Sequence, residues 1–190
     1  MKLKQAIYYI LIIFIMACSK SNDRNITRLG NFKNRPRGFQ KVYMPKGQIA
    51  LFIENNLNVN SKIQNVRFFI GDKGNCLKPF RVMLYSVDTI TAKPLNYLLP
   101  DTIIINTKNG NEWFSVDLSA YNLTFPINGI FASMEWIPDD DFNVVSQSEC
   151  QYITYSKIKN KNKTWYCALG INWYQLPECD YNAMISIDVK

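Results

Sequence analysis

The chain has no histidine among its 190 residues. That removes histidine-based triads, histidine–metal sites and the usual proton switch near neutral pH. Five cysteines remain, Cys18, Cys76, Cys150, Cys167 and Cys179. A thiol nucleophile would have no histidine base, and no C-x-x-C spacing supports a four-thiolate zinc site. In an exported domain the four cysteines after Cys18 invite disulfides, with all three full pairings open; the alternative is free buried thiol, which packs as a small hydrophobe. Carboxylates are the other catalytic resource. A glycoside hydrolase needs two, about 5–10 Å apart, one of them with a raised pKa. Glu135 sits on a candidate strand, and Asp139, Asp140 and Asp141 follow Pro138. That triplet reads as a solvated acidic turn or as a structural calcium site, since clustered oxygens suit a hard cation. Asp88 and Asp117 end strands and read as turn caps. No hydrolase motif is present, and a non-catalytic protein is expected.

Aromatic side chains offer different chemistry. A sugar ring presents an apolar C–H face, so a glycan-binding surface needs exposed flat rings with amides beside them. Trp165-Tyr166 and Trp173-Tyr174 stand near loops, with Asn172, Gln175 and Asn182 as candidate amide partners. Neighbouring residues on a strand face opposite ways, so one member of each pair can anchor while the other is presented. The competing reading is that this last hairpin only closes the fold. Trp113 and Trp136 lie inside apolar strands and are expected in the core. Lys157, Lys159, Lys161 and Lys163 alternate across a turn, as lysines that protect a sheet edge do.

These groups have to be positioned by strands. Hydrophobic residues make up 47% of the chain and charged residues 19%, a globular composition with length for one domain. Segments 38–44, 48–54, 62–70, 80–88, 102–107, 112–118, 130–137, 151–158, 164–172 and 183–189 are rich in β-branched and aromatic residues and are separated by turn residues. Asn109-Gly110 marks the clearest hairpin, joining 102–107 to 112–118. Segments 151–158 and 164–172 would pair around Lys159–Lys163. Only 93–99 allows a short helical turn. About ten short strands imply an all-β, antiparallel β-sandwich, because one open sheet cannot cover both of its apolar faces. Segment 80–87 is apolar on both faces: Phe80, Val82 and Leu84 on one, Met83, Tyr85 and Val87 on the other. Something must cover the second face, whether a loop, another molecule or a ligand.

The N-terminus follows a different pattern. Lys2 and Lys4 precede an apolar run, residues 6–17, too short at about 18 Å to span about 30 Å of hydrocarbon. This is the form of a secretory signal. Ile15-Met16-Ala17-Cys18 resembles the bacterial lipobox, which implies cleavage before Cys18 and acylation of that residue; several acyl chains hold a membrane where one does not. Residues 1–17 are then signal peptide, 18–25 a lipidated cysteine and polar tether, and 26–190 one domain. Ser19 in the position after the cysteine resembles outer-membrane sorting, and Ser19–Arg24 resembles the polar tethers of surface-exported lipoproteins of Bacteroidetes. Removing Lys2 and Lys4 leaves 20 basic residues against 15 acidic ones, a net charge of +5. Nucleic acid is not an expected partner of an exported chain without a basic, base-stacking groove.

The blocks Asn65–Ile70, Lys78–Asp88, Trp113–Leu118 and Gly129–Trp136 resemble a domain of Bacteroidetes secreted proteins that often follows a carboxypeptidase regulatory-like domain. The resemblance implies a jelly-roll, carbohydrate-binding-like sandwich with no catalytic signature. It covers residues 26–137 best, and no regulatory-like module precedes it here. The resulting expectations are a membrane-anchored partner of a glycan, or an accessory subunit of an outer-membrane protein complex, with glycan hydrolysis a distant third.

Overall fold

The computed structural model describes residues 26–33, 35–40, 46–71, 79–106, 110–137, 152–157, 162–176 and 180–190. Cys18, Cys76, Cys150, Cys179 and Asp139–Asp141 lie outside the described residues, as does the side chain of Trp136. Among the described residues fifteen strands are formed: β1 (Thr27–Gly30), β2 (Gly38–Gln40), β3 (Gln48–Ile53), β4 (Ser61–Gly71), β5 (Phe80–Val87), β6 (Pro94–Tyr97), β7 (Ile103–Ile105), β8 (Glu112–Asp117), β9 (Thr124–Phe125), β10 (Ile130–Trp136), β11 (Tyr152–Lys157), β12 (Thr164–Ala168), β13 (Asn172–Tyr174), β14 (Tyr181–Ala183) and β15 (Ile185–Val189). They build two antiparallel sheets. One has the order β1-β15-β4-β11-β14, with β2 on β11 and β8 and β9 on β4; the other runs β13-β12-β3-β10-β5-β6, with β7 on β5. The fold is an all-β, jelly-roll-like sandwich.

The period-2 pattern of the long strands puts one apolar row of each sheet into a shared core. Val66, Phe68 and Ile70 of β4 and Ile185 and Ile187 of β15 meet Ile49 and Leu51 of β3, Phe80, Val82 and Leu84 of β5, and Ala132 and Met134 of β10. Phe80 lies edge-on to Phe68 at 5.5 Å and to Phe114 at 6.5 Å. Each fully buried side chain of this size contributes about 1.5–3 kcal/mol. Phe114, Val116 and Leu118 face this core, as their alternation requires. Trp113 does not. It lies on the outer face of the eight-stranded sheet, edge-on to Phe69 at 5.5 Å, because β8 pairs in register with β4 and Trp113 falls opposite Phe69.

Three local expectations are corrected. Segments 102–107 and 112–118 do not form a hairpin: β7 pairs with β5 in one sheet and β8 with β4 in the other. Their inward rows, Ile103 and Ile105 against Val116 and Leu118, belong to opposite walls of the core, so the chain crosses between sheets there. For the same reason β11 and β12 do not pair; β11 joins β2, β4 and β14, and β12 joins β3 and β13. Segment 93–99 holds the strand β6, Pro94–Tyr97, and no helical turn. Asp88 accepts from the amides of Ile90 and Thr91 and from the Thr91 hydroxyl at 2.9, 3.3 and 2.6 Å, which reverses the chain and brings β6 onto β5. Asp117 caps the next turn, taking the Ser119 amide at 2.8 Å. These bonds hold both carboxyls below their ordinary range.

Candidate functional site

The seven-stranded sheet has a second side-chain layer on its outer face. Alternation places Gln48, Ala50 and Phe52 of β3 there, with Phe131, Ser133 and Glu135 of β10, Arg81, Met83 and Tyr85 of β5, Trp165 and Cys167 of β12, and Trp173 of β13. The registers align them in rows. One row runs Trp173, Cys167, Gln48, Glu135, Arg81, Ile104 across the sheet, and another runs Phe52, Phe131, Tyr85, Tyr97.

Tyr85 and Trp173 stand four strand spacings apart in the sheet order, about 19 Å in a flat sheet. Their ring centroids are nevertheless 5.5 Å apart, edge to face. The sheet curls, and rings from its two flanks close over the small side chains of Ala50 and Ser133. Trp165 meets Phe131 at 6.0 Å, Phe52 meets Phe131 at 5.2 Å, and Tyr97 meets Tyr85 at 5.9 Å. The inner rings are buried: Phe131 is 1% exposed and Tyr85 8%. The rim rings are not. Trp165, Trp173 and Phe52 are half-buried, and Tyr97 is 39% exposed.

Polar groups sit beneath that rim. The Tyr85 hydroxyl donates to Gln48 Oε1 at 2.8 Å, and the Ser133 hydroxyl donates to the Ile49 carbonyl at 3.0 Å. Arg81 Nη1 lies 3.3 and 3.4 Å from the two oxygens of Glu135, and Glu135 is itself buried. Burial pushes the Tyr85 phenol far above its ordinary value, against the Gln48 hydrogen bond, which pulls it down. Burial also raises Tyr97, with Arg81 opposing and Glu135 adding. Cys167 is a free buried thiol, raised first by burial, while the backbone amide of Gly170 pulls it down.

The sequence-derived candidates divide between the two sides of the sheet. Trp165 and Trp173 are both on the curled outer face. Tyr166 turns inward and is buried in the main core, 5.9 Å from Tyr174, which is 45% exposed at the sheet edge. Asn172 is exposed at the start of β13. Gln175 donates to the Asn162 carbonyl at 3.0 Å, and Asn182 Oδ1 accepts from the Lys163 amide and the Thr164 hydroxyl; both fix the hairpin in place. Lys163 pairs with Glu54 at 2.8 Å. Tyr85, Tyr97, Phe52, Phe131, Arg81 and Gln48 were not candidates from the sequence. The signal for Tyr85 was the doubly apolar β5, whose second face is this layer.

The arrangement offers ring faces, a buried amide and hydroxyl, and the Arg81–Glu135 ion pair, with the Lys163–Glu54 pair at the Phe52 edge. Among the described residues no group of three or more histidine, cysteine, aspartate or glutamate side chains is placed to hold a metal. Glu135 is the buried carboxylate of this face among the described residues, and the exposed Glu54 stands at its Phe52 end, bridged to Lys163. No family model and no curated protein matches the sequence. The fold is similar to a crystal structure of the cysteine protease and lectin-like domains of Cwp84, a surface layer associated protein of Clostridium difficile, with a TM-score of 0.55 at 12% identity. The match covers 88% of this chain and 36% of that one, so this chain spans about a third of its length.

Proposed function

We propose that this protein is a non-catalytic envelope module that holds a glycan against the curled outer face of its seven-stranded sheet. The observation that carries the reading is the joining of half-exposed rings, Trp173, Trp165 and Tyr97, with hydrogen-bonding groups directly beneath them. A pyranose laid on such a rim packs its C–H face on a ring and turns its hydroxyls toward polar partners. The likeness to a structure that includes lectin-like domains concerns the fold and accords with the proposal. The lipobox-like Ile15–Cys18 supports an acyl anchor on Cys18, and Ser19 after it supports an outer-membrane position, with the domain facing the envelope or the exterior.

A glycan array probed with the full, detergent-solubilised chain tests the reading. Binding is expected, and it is lost in Trp173→Ala with the near-ultraviolet circular dichroism of the core retained. Loss of binding on chelation would show that a cation is needed and implicate the acidic turn Asp139–Asp141. A blank array from folded protein contradicts the glycan reading and leaves docking in an envelope protein complex; Ile90 and Ile171 (93% and 72%) are the most exposed large apolar side chains among the described residues. Incorporation of a palmitate analogue, abolished in Cys18→Ala, tests the anchor.

A further inference from the structure

Beneath the aromatic rim, among the described residues, the donors and acceptors of one pair are largely unspent. A guanidinium carries five N–H donors in a planar fork. In Arg81 only Nη1 is engaged with Glu135, at 3.3 and 3.4 Å, long beside the roughly 2.7–2.9 Å of a well-formed charged pair. Its Nε–H is buried and has no acceptor among the described residues. Glu135 takes one nitrogen where a carboxylate has room for about four donors. Of the neighbouring groups, Gln48 Oε1 is taken by Tyr85, and the Ser133 hydroxyl is spent on the Ile49 carbonyl. Arg81 keeps 35% of its side chain exposed while Glu135 keeps 8%, so the pair opens to solvent from the arginine side, where Ile104 is its neighbour across the strand pair.

The pair is neutral overall, and that decides what it can take. A carboxylate or sulfate would gain Arg81 and meet the negative charge of Glu135 at nearly the same distance. A hydroxyl satisfies both, accepting from the arginine and donating to the carboxylate, and two adjacent hydroxyls use the fork and both carboxylate oxygens. We infer that Arg81 and Glu135 are the specificity pair of this surface, selecting neutral pyranoses with a vicinal diol over uronic acids and sulfated sugars. The inference rests on the glycan reading above.

The test is an array on which each neutral sugar is paired with its uronic acid and its sulfated form, probed with the full chain. Neutral sugars are expected to bind in preference to their acidic counterparts. Methyl glycosides of the best binder lacking one hydroxyl of a vicinal pair should bind about tenfold more weakly, as for a hydrogen bond to a charged group. That ligand-side series needs no substitution in the protein. In Arg81→Lys, which keeps the charge and loses the fork, and in Glu135→Gln, the same deoxy penalty should shrink toward unity. Preference for acidic sugars overturns the inference. So does an undiminished deoxy penalty in both variants while Trp173→Ala abolishes binding, a result that keeps the glycan reading and removes the pair from it. No sugar binding at all removes the reading itself, and the inference with it.

Discussion

Tyr85 shows how a single side chain joins the packing of this protein to its surface chemistry. Its ring is held between Trp173 and Tyr97, and its hydroxyl is spent on Gln48 at 2.8 Å. Tyr85→Phe keeps the rings and leaves a buried amide oxygen short of its best donor, so unfolding in urea should show a loss of about 1–2 kcal/mol. The phenol's raised pKa adds a pH signature. A group held above its ordinary 10.0 contributes stability that is complete below pH 10.0 and lost as pH climbs beyond it. The urea midpoint should therefore fall above pH 10.0 and fall less steeply in Tyr85→Phe. On the other sheet, Asp188 is 1% exposed and is gripped by Arg28 at 2.7 Å and Arg67 at 2.8 Å. Asp188→Asn leaves two arginines facing a neutral group and should cost about 3 kcal/mol, loosening β1 first in hydrogen exchange. At this scale the sequence was partly legible. Alternation alone put one ring of each Trp-Tyr pair on a face, which is where Trp165 and Trp173 stand. Arg81 and Glu135 carried no such signal, because their partnership depends on the β5–β10 register.

The last hairpin shows why some elements could not be read. β12 and β13 are joined by Leu169, Gly170 and Ile171; the first two are at positive φ, 55° and 68°, and the Ile171 amide donates to the Ala168 carbonyl at 3.2 Å. This is the turn that Asn-Gly usually makes. A leucine there hides the reversal, and the segment looked like one strand with its aromatic pairs at opposite ends. The reversal instead places Cys167 opposite Trp173 and Tyr166 opposite Tyr174. Leucine in that conformation carries about 1–2 kcal/mol of strain, so Leu169→Asn should raise stability by about 1 kcal/mol, read as a higher urea midpoint at unchanged slope. Asn109-Gly110 misled in the opposite direction. Strong turn chemistry marks where the chain bends, and it does not say which sheet the next strand joins.

Over the whole molecule the strand content, the antiparallel sandwich and the shared core were legible, because each follows from period-2 alternation and from the need to cover two apolar faces. The pairing order was not, since the chain changes sheets at many of its connections and β1 pairs with β15 from the far end of the sequence. That topology leaves one sheet free to curl and to carry a second aromatic layer outside the core, which the doubly apolar β5 announced without naming its cover. The direct test of whether that layer is the ligand surface is a titration of the best array glycan into protein with 15N-labelled tryptophans, following the indole N–H signals. Trp165 and Trp173 should shift together and saturate with the binding curve, while Trp113, on the opposite sheet, stays fixed. A saturable shift at Trp113 with Trp165 and Trp173 unmoved would place the ligand elsewhere and contradict the account.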